Sequence, residues 1–342
     1  LTAIAKEFEN SISILDTTKL IDLVQKKITL EYNDFFISLA NSPAGLPNQV
    51  SEVLCQRLFN ELRDSKNLNA IKLISKLPKE TLHHQENFIE QLLWPLARDK
   101  DVDIRNAVPK AVFNLGRSSD TISLDSISKK FLQQVIFEES VSVRCHIIKA
   151  ISNNVIDSLA SPEMMKFYEI FINDESISVR EIVYKLIAKL STINPMATTS
   201  LARKGMLDCF FIIRRVPSIR TKSRFLRIIP EIIKASQSTI KAYSGGILEI
   251  IMDILTKYDT KRKYDNFIEE DSQISIIISI CNILSLLAPL VPNQVSKYAD
   301  TFIPILCGIA LFIEHRLPSL AIFNLFYVLL SPGSATITYR TL

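Results

Sequence analysis

Two sets of charged residues carry whatever chemistry this sequence can perform. The first recurs along the chain: an acidic residue, four intervening positions, then a β-branched residue and an arginine, as Asp99 to Ile104-Arg105, Glu138 to Val143-Arg144 and Asp174 to Val179-Arg180. Arginine and carboxylate at a fixed spacing can form charge-assisted, bidentate hydrogen bonds. The second set is a basic cluster: Arg203, Lys204, Arg214, Arg215, Lys222 and Arg224, with Arg220 and Arg227 alongside and only Asp208 opposing them. Three readings of it stand open: an inert solvated face, a surface for an acidic or phosphorylated protein partner, or a contact to nucleic acid. Aromatic interleaving is thin, since Phe210, Phe211 and Phe225 are expected inside helices, and that argues against base stacking.

Bond-making chemistry has no such support. The sequence holds no G-x-G-x-x-G, no G-x-x-x-x-G-K-[ST], no G-x-S-x-G and no H-E-x-x-H, so no catalytic, cofactor-binding or metal-ligating residue is assigned. Gly245-Gly246 is the one glycine pair, and a turn before an apolar helix accounts for it. His83, His84, His146 and His315 are scattered, and the adjacent Cys145 and His146 point to different faces of a helix. Cys55, Cys145, Cys209, Cys281 and Cys307 lack a C-x-x-C spacing and are odd in number, as expected of buried thiols in a reducing compartment.

The elements that hold these residues follow from composition and period. Of 342 residues 47% are apolar and only 7 are glycine, where about 7% is usual, so the chain is expected to be helical with short polar turns. A net charge of +4 with that apolar content excludes disorder. Arg105, Arg144, Arg180 and Arg220 are 39, 36 and 40 residues apart, the roughly 40-residue period of HEAT and armadillo-type helix pairs. Asp64 to Asn69 extends the series backwards with the arginine replaced. Around Arg180, Met164 to Phe171 reads as a first helix, and Ile182, Val183, Leu186, Ile187 and Leu190 read as the core stripe of a second.

The predicted fold is all-α: one HEAT-repeat α-solenoid over residues 1–342, about seven to eight antiparallel helix pairs. The acid is expected to cap each second helix. The arginine opposes that helix's macrodipole and needs a carboxylate, which the acidic turn of the neighbouring repeat can supply as a structural ladder. Pro43, Pro47, Pro78, Pro195, Pro217, Pro292 and Pro332 mark turns. Residues 257–272, opening Lys257-Tyr258-Asp259-Thr260-Lys261-Arg262-Lys263, are expected as an exposed charged insertion. Residues 272–296 lack charge, yet Ser275, Ser279, Asn282 and Ser285 form a polar stripe, so a buried solenoid helix is expected there and no transmembrane segment. Leu1 and Leu342 read as internal points of a longer polypeptide.

Specific residues then resemble a known family. Phe171-Ile172-Asn173-Asp174-Glu175, Arg180-Glu181, Leu190-Ser191, Asn194-Pro195 and Arg203-Lys204 are similar, at the same spacing, to the LNDE turn, R-E, L-S-x-x-N-P and R-K of the N-terminal HEAT region of the target-of-rapamycin (TOR) Ser/Thr protein kinases. Arg220, Lys222, Tyr243 and Ile247-Leu248 continue the series, Val143-Arg144 precedes it, and Ser331, Gly333, Tyr339 and Arg340 resemble its last segment. The family's acidic-proline turn is Glu138-Glu139-Ser140 here, and residues 1–130 carry no family signature, as in a divergent member.

The resemblance implies a phosphatidylinositol-3-kinase-related parent that uses ATP and Mg²⁺ in a distant catalytic domain and controls growth in response to nutrients. For this region it implies a non-catalytic scaffold arm without a cofactor. The arm would help the kinase dimerise with a second copy and would contact large accessory subunits such as raptor or rictor, in the cytoplasm or on endomembranes through those partners. A free-standing HEAT scaffold stays open as the alternative. It would be a protein phosphatase structural subunit, which the D-x-D-V-D-I-R run ending at Arg105 also resembles, or a transport adaptor.

Overall fold

A computed structural model describes the backbone of residues 17–25, 29–41, 45–78, 89–116, 123–154, 157–264, 271–312 and 316–330. The chain divides into two compact units, Leu1–Leu159 and Ala160–Leu342. The helices begin where the sequence supplies a cap. Thr29 Oγ1 accepts from the Tyr32 N–H at 3.2 Å and Asn194 Oδ1 from the Ala197 N–H at 3.2 Å, satisfying amides that a helix start leaves unpaired. Pro162, Pro195 and Pro292 occupy the first helical turn, where a missing N–H costs nothing.

In the first unit, α1 (Thr17–Val24), α3 (Asn48–Ser65), a π-turn (Ile89–Leu93) running into α5 (Trp94–Leu96), and α7 (Leu124–Phe137) form one layer. The second layer is α2 (Leu30–Ala40), α4 (Leu68–Ile74), α6 (Val102–Gly116) and α8 (Val141–Ser152), each packed on the next. Aromatic rings fill the space between α5, α6 and α7. Phe113 stacks on Phe131 at 5.6 Å between centroids, and Trp94 lies 4.7 Å from Phe131. Phe113 and Phe131 are fully buried, each such side chain contributing about 1.5–3 kcal/mol by leaving water.

The second unit repeats the plan. Its first layer is α9 (Pro162–Phe171), α11 (Pro195–Arg215), α14 (Lys241–Tyr264) and α17 (Ala299–Phe312). Its second layer is α10 (Ile177–Leu190), the broken helix α12 (Ile219–Leu226) and α13 (Ile229–Ala235), α15 (Asp271–Leu290) and α18 (Arg316–Leu330), with the short α16 (Pro292–Ser296) between α15 and α17. Ile182, Val183, Leu186, Ile187 and Leu190 of α10 are all buried. Eight helix pairs in two layers, among the described residues, make the fold an all-α HEAT-type solenoid.

Two local expectations need correction. Gly245 and Gly246 lie inside α14 and make no turn. Gly246 permits close approach, since a Cβ there would sit 3.1 Å from the Phe210 ring. The charged run from Lys257 to Tyr264 is the end of that same helix, whose Lys257 pairs with Asp253 one turn earlier at 2.8 Å. Residues 265–270 lie outside the described residues, and nothing is assigned to Thr260. Proline also enters helices, at Pro109, Pro289 and Pro304. Pro43 and Pro332 lie outside the described residues.

α15 is long and apolar enough to cross a membrane by length and composition. Its Ile276, Ile277, Ile280, Ile283, Leu284 and Leu287 are buried, and the helix packs against α12, α13 and α18. Ser275, Asn282 and Ser285 line an open cleft on its remaining face. That is the pattern of a core helix with one wet side.

Candidate docking surface

The recurring acid closes the turn before each second helix. Asp99 Oδ1 accepts from the Asp101 N–H at 3.0 Å, Glu138 Oε1 from the Ser140 N–H at 3.0 Å, and Asp174 Oδ1 from the Ser176 N–H at 2.8 Å. The bond spans two residues and sits just outside the helix, so the acid shapes the turn and does not itself cap the helix as expected. Each arginine then folds back on that turn. Arg105 Nη1 donates to the Asp99 and Lys100 carbonyls at 2.7 and 3.1 Å, Arg144 Nη1 to the Glu138 and Glu139 carbonyls at 2.9 and 3.0 Å, and Arg180 Nε to the Asp174 carbonyl.

Within the first unit the neighbouring repeat's acid completes the set. Arg105 binds Glu138 through two parallel bonds, Nε to Oε2 at 3.1 Å and Nη2 to Oε1 at 3.0 Å, with the side chains only 15% and 7% exposed. One repeat earlier Lys66 takes the cation's place, its Nζ 2.6 Å from Asp99 Oδ2. Lys66 adopts the left-handed conformation (φ 51°) at the end of α3, which a non-glycine residue rarely does. The hydrogen bond from Lys66 holds the Asp99 carboxyl below the usual carboxylate range, helped by the Asp101 amide. Asp64 stands apart from this series and pairs with its neighbour Arg63 at 2.9 Å. Among the described residues Arg180 also lies over the Phe225 ring at 5.9 Å.

The basic cluster is shared between two helices that touch each other: Arg203, Lys204, Arg214 and Arg215 are on α11, and Lys222 and Arg224 are on α12. Arg227 is engaged with Glu181 at 2.8 Å. It lines a cleft of about 590 Å³ where Glu181 also holds Lys185 and Glu231 holds Lys234, so that rim is self-neutralised. On α11 the four cations are exposed. Arg214 meets Glu249 at 3.1 Å, both side chains more than half exposed, and Arg215 lies over the Phe211 ring at 4.3 Å. Arg203, Lys204, Lys222 and Arg224 have no carboxylate within salt-bridge distance among the described residues.

The exposed apolar residues between those cations were not legible as such in the sequence. Met196, Leu207 and Phe211 are 87%, 50% and 57% exposed. Their signal is the i, i+11, i+15 spacing on the face that also carries Arg203 and Arg214. Phe211 was expected inside a helix core, but it is Phe210, half-buried behind it, that meets Gly246.

Three of the thiols are poorly placed to act as nucleophiles. Burial pushes Cys55 up to about 11 and Cys209 and Cys281 up to about 12, keeping each protonated. Among the described residues no three His, Cys, Asp or Glu side chains gather as a metal site. His146 is exposed while Cys145 is buried. His83, His84 and His315 lie outside the described residues, as do Ser331, Gly333, Tyr339 and Arg340.

The class these features define is a helical-repeat solenoid whose distinctive surfaces are charged and solvent-facing. No protein-family model matches the chain. Over 130 residues, 38% of the chain, it is 23% identical to the serine/threonine-protein kinase TOR2 of Saccharomyces cerevisiae, and over 134 residues 24% identical to the serine/threonine-protein kinase mTor of Drosophila melanogaster. A stretch of 192 residues is 22% identical to the kinase tor1 of Schizosaccharomyces pombe. These matches span 5%, 5% and 8% of the kinases' own lengths. Among solved structures, importin beta superposes on 95% of the chain with a TM-score of 0.65 at 10% identity, covering 44% of importin beta. Kap95p, solved with RanGDP, superposes on 95% with a TM-score of 0.64 at 13% identity, covering 44% of Kap95p. At that identity the likeness concerns the fold alone.

Proposed function

We propose that this chain is a non-catalytic scaffold arm of a TOR-type Ser/Thr protein kinase. It docks large accessory subunits of the raptor or rictor kind and supports assembly with a second copy of the kinase. ATP and Mg²⁺ belong, in this reading, to a catalytic domain elsewhere in the polypeptide, which acts in the cytoplasm or on endomembranes through its partners. The observation that carries the reading is the collinear similarity to TOR kinases from two yeasts and a fly. Solenoids build extended binding surfaces from stacked repeats, which suits the role. The solenoid fold is equally that of a transport adaptor, as in the karyopherins, and this second reading rests on superposition over nearly the whole chain.

Affinity capture of the full-length polypeptide followed by mass spectrometry separates the two. Raptor- or rictor-like subunits, reduced in an Arg203→Glu/Arg214→Glu/Arg215→Glu variant, are the expected result. Ran and transport cargo in their place would overturn the kinase reading in favour of the adaptor.

A further inference from the structure

We propose that the solvent face of α11 is a docking ridge for an acidic amphipathic helix of a partner protein. The inference rests on the scaffold reading and names the chemistry of the partner. At about 100° per residue, Met196, Leu207 and Phe211 fall within an arc of about 60°. Arg203 lies just outside one edge of that arc with Arg214 in line with Met196, and Lys204 and Arg215 lie beyond the other edge, where the half-buried Asp208 is their neighbour. An apolar ridge bordered on both sides by cations is therefore built from one helix. From Met196 to Arg215 it runs about 28 Å at about 1.5 Å per residue, room for some five turns of a partner helix.

Charge and shape together select the occupant. Three exposed apolar side chains in line gain by burial against another apolar stripe. The flanking cations call for carboxylates on both sides of that stripe. Nucleic acid would satisfy the cations but leave Met196 and Leu207 facing phosphate, and with Phe211 as its one exposed ring the ridge lacks the run of aromatic side chains on which successive bases stack. The ridge is also poised for exchange. The exposed Arg214–Glu249 pair is of the kind worth at most about 1 kcal/mol, so an incoming carboxylate can replace Glu249.

The test uses the 342-residue chain and a labelled synthetic helical peptide, with leucine at i, i+4, i+7 and i+11 and glutamate on both flanks. Fluorescence anisotropy would compare it with a scrambled peptide of equal composition, phosphatidylserine-containing vesicles and a single-stranded RNA. The expected result is saturable binding of the patterned peptide, at least about tenfold tighter than the scrambled one. About tenfold should be lost in Leu207→Ala/Phe211→Ala and again in Arg203→Glu/Lys204→Glu/Arg215→Glu, each with an unchanged circular dichroism spectrum. Equal binding of the scrambled peptide, or preferential binding of vesicles or RNA, would overturn the proposal. The peptide result is independent of which subunits are captured from cells. A ridge that binds while no kinase subunits are recovered sinks only the kinase reading, and the reverse pattern sinks only the ridge.

Discussion

Arginine serves two purposes in this molecule, and the contrast between the turn after α5 and the face of α11 shows what separates them. Arg105 is mostly covered, bidentate on Glu138 and bonded to two carbonyls of its own turn. Four of its five N–H donors are used, two on its own turn and two in positioning one helix pair against the next. Arg203, Lys204, Arg214 and Arg215 sit on a first-layer helix that shows them to solvent, and of the four only Arg214 pairs with a carboxylate, Glu249, among the described residues. Burial and partner count decide the role, because a covered pair loses heavily when one member is removed while an exposed pair is screened.

That contrast can be broken or sharpened by substitution. The largest effect is expected at Gly205, which lies beneath the exposed face of α11. A Cβ there would come within 2.1 Å of the buried Tyr184 hydroxyl. Overpacking of this kind costs about 1–3 kcal/mol, and alanine's better helix propensity returns about 1. Gly205→Ala should therefore lower the melting temperature of the chain and weaken binding on the ridge by displacing α11. Unchanged melting would show that Tyr184 moves freely and that the ridge does not depend on its backing.

A smaller effect is expected from acid at the Lys66–Asp99 step. The Asp99 carboxyl lies below its ordinary value when folded, so its contribution to stability is complete above the unfolded value of about 4 and is lost as pH falls through the folded one. Chemical denaturation between pH 6 and pH 3 should show wild type losing slightly more stability than Asp99→Asn. Parallel curves would remove Asp99 from the ladder. The effect is small because Lys66 is 61% exposed.

The sequence made much of this legible, and the exceptions have physical causes. The period of Arg105, Arg144 and Arg180 marks successive helix pairs because each stacked pair must meet its neighbour through the same turn. The stripe from Ile182 to Leu190 marks a buried face because helical periodicity is set by burial. Lys66 was not foreseen, since its role depends on a left-handed backbone angle that nothing around it announces. The basic cluster is one run in the sequence, and the turn at Val216-Pro217-Ser218 divides it between two helices, α11 and α12, which periodicity alone did not announce. Lys257 to Tyr264 read as an exposed insertion because charge density suggests solvent, whereas the backbone continues as α14 and Lys257 makes an i, i+4 ion pair with Asp253.

Two double-mutant cycles, measured side by side by chemical denaturation of the 342-residue chain, put the division of labour to direct trial. One cycle uses Arg105→Ala and Glu138→Ala, the other Arg214→Ala and Glu249→Ala. The covered pair should show a coupling of about 1–3 kcal/mol and the exposed pair about 0–0.5 kcal/mol. Equal couplings, or a larger one for Arg214 and Glu249, would contradict the assignment of Arg105 to architecture and of the α11 face to binding.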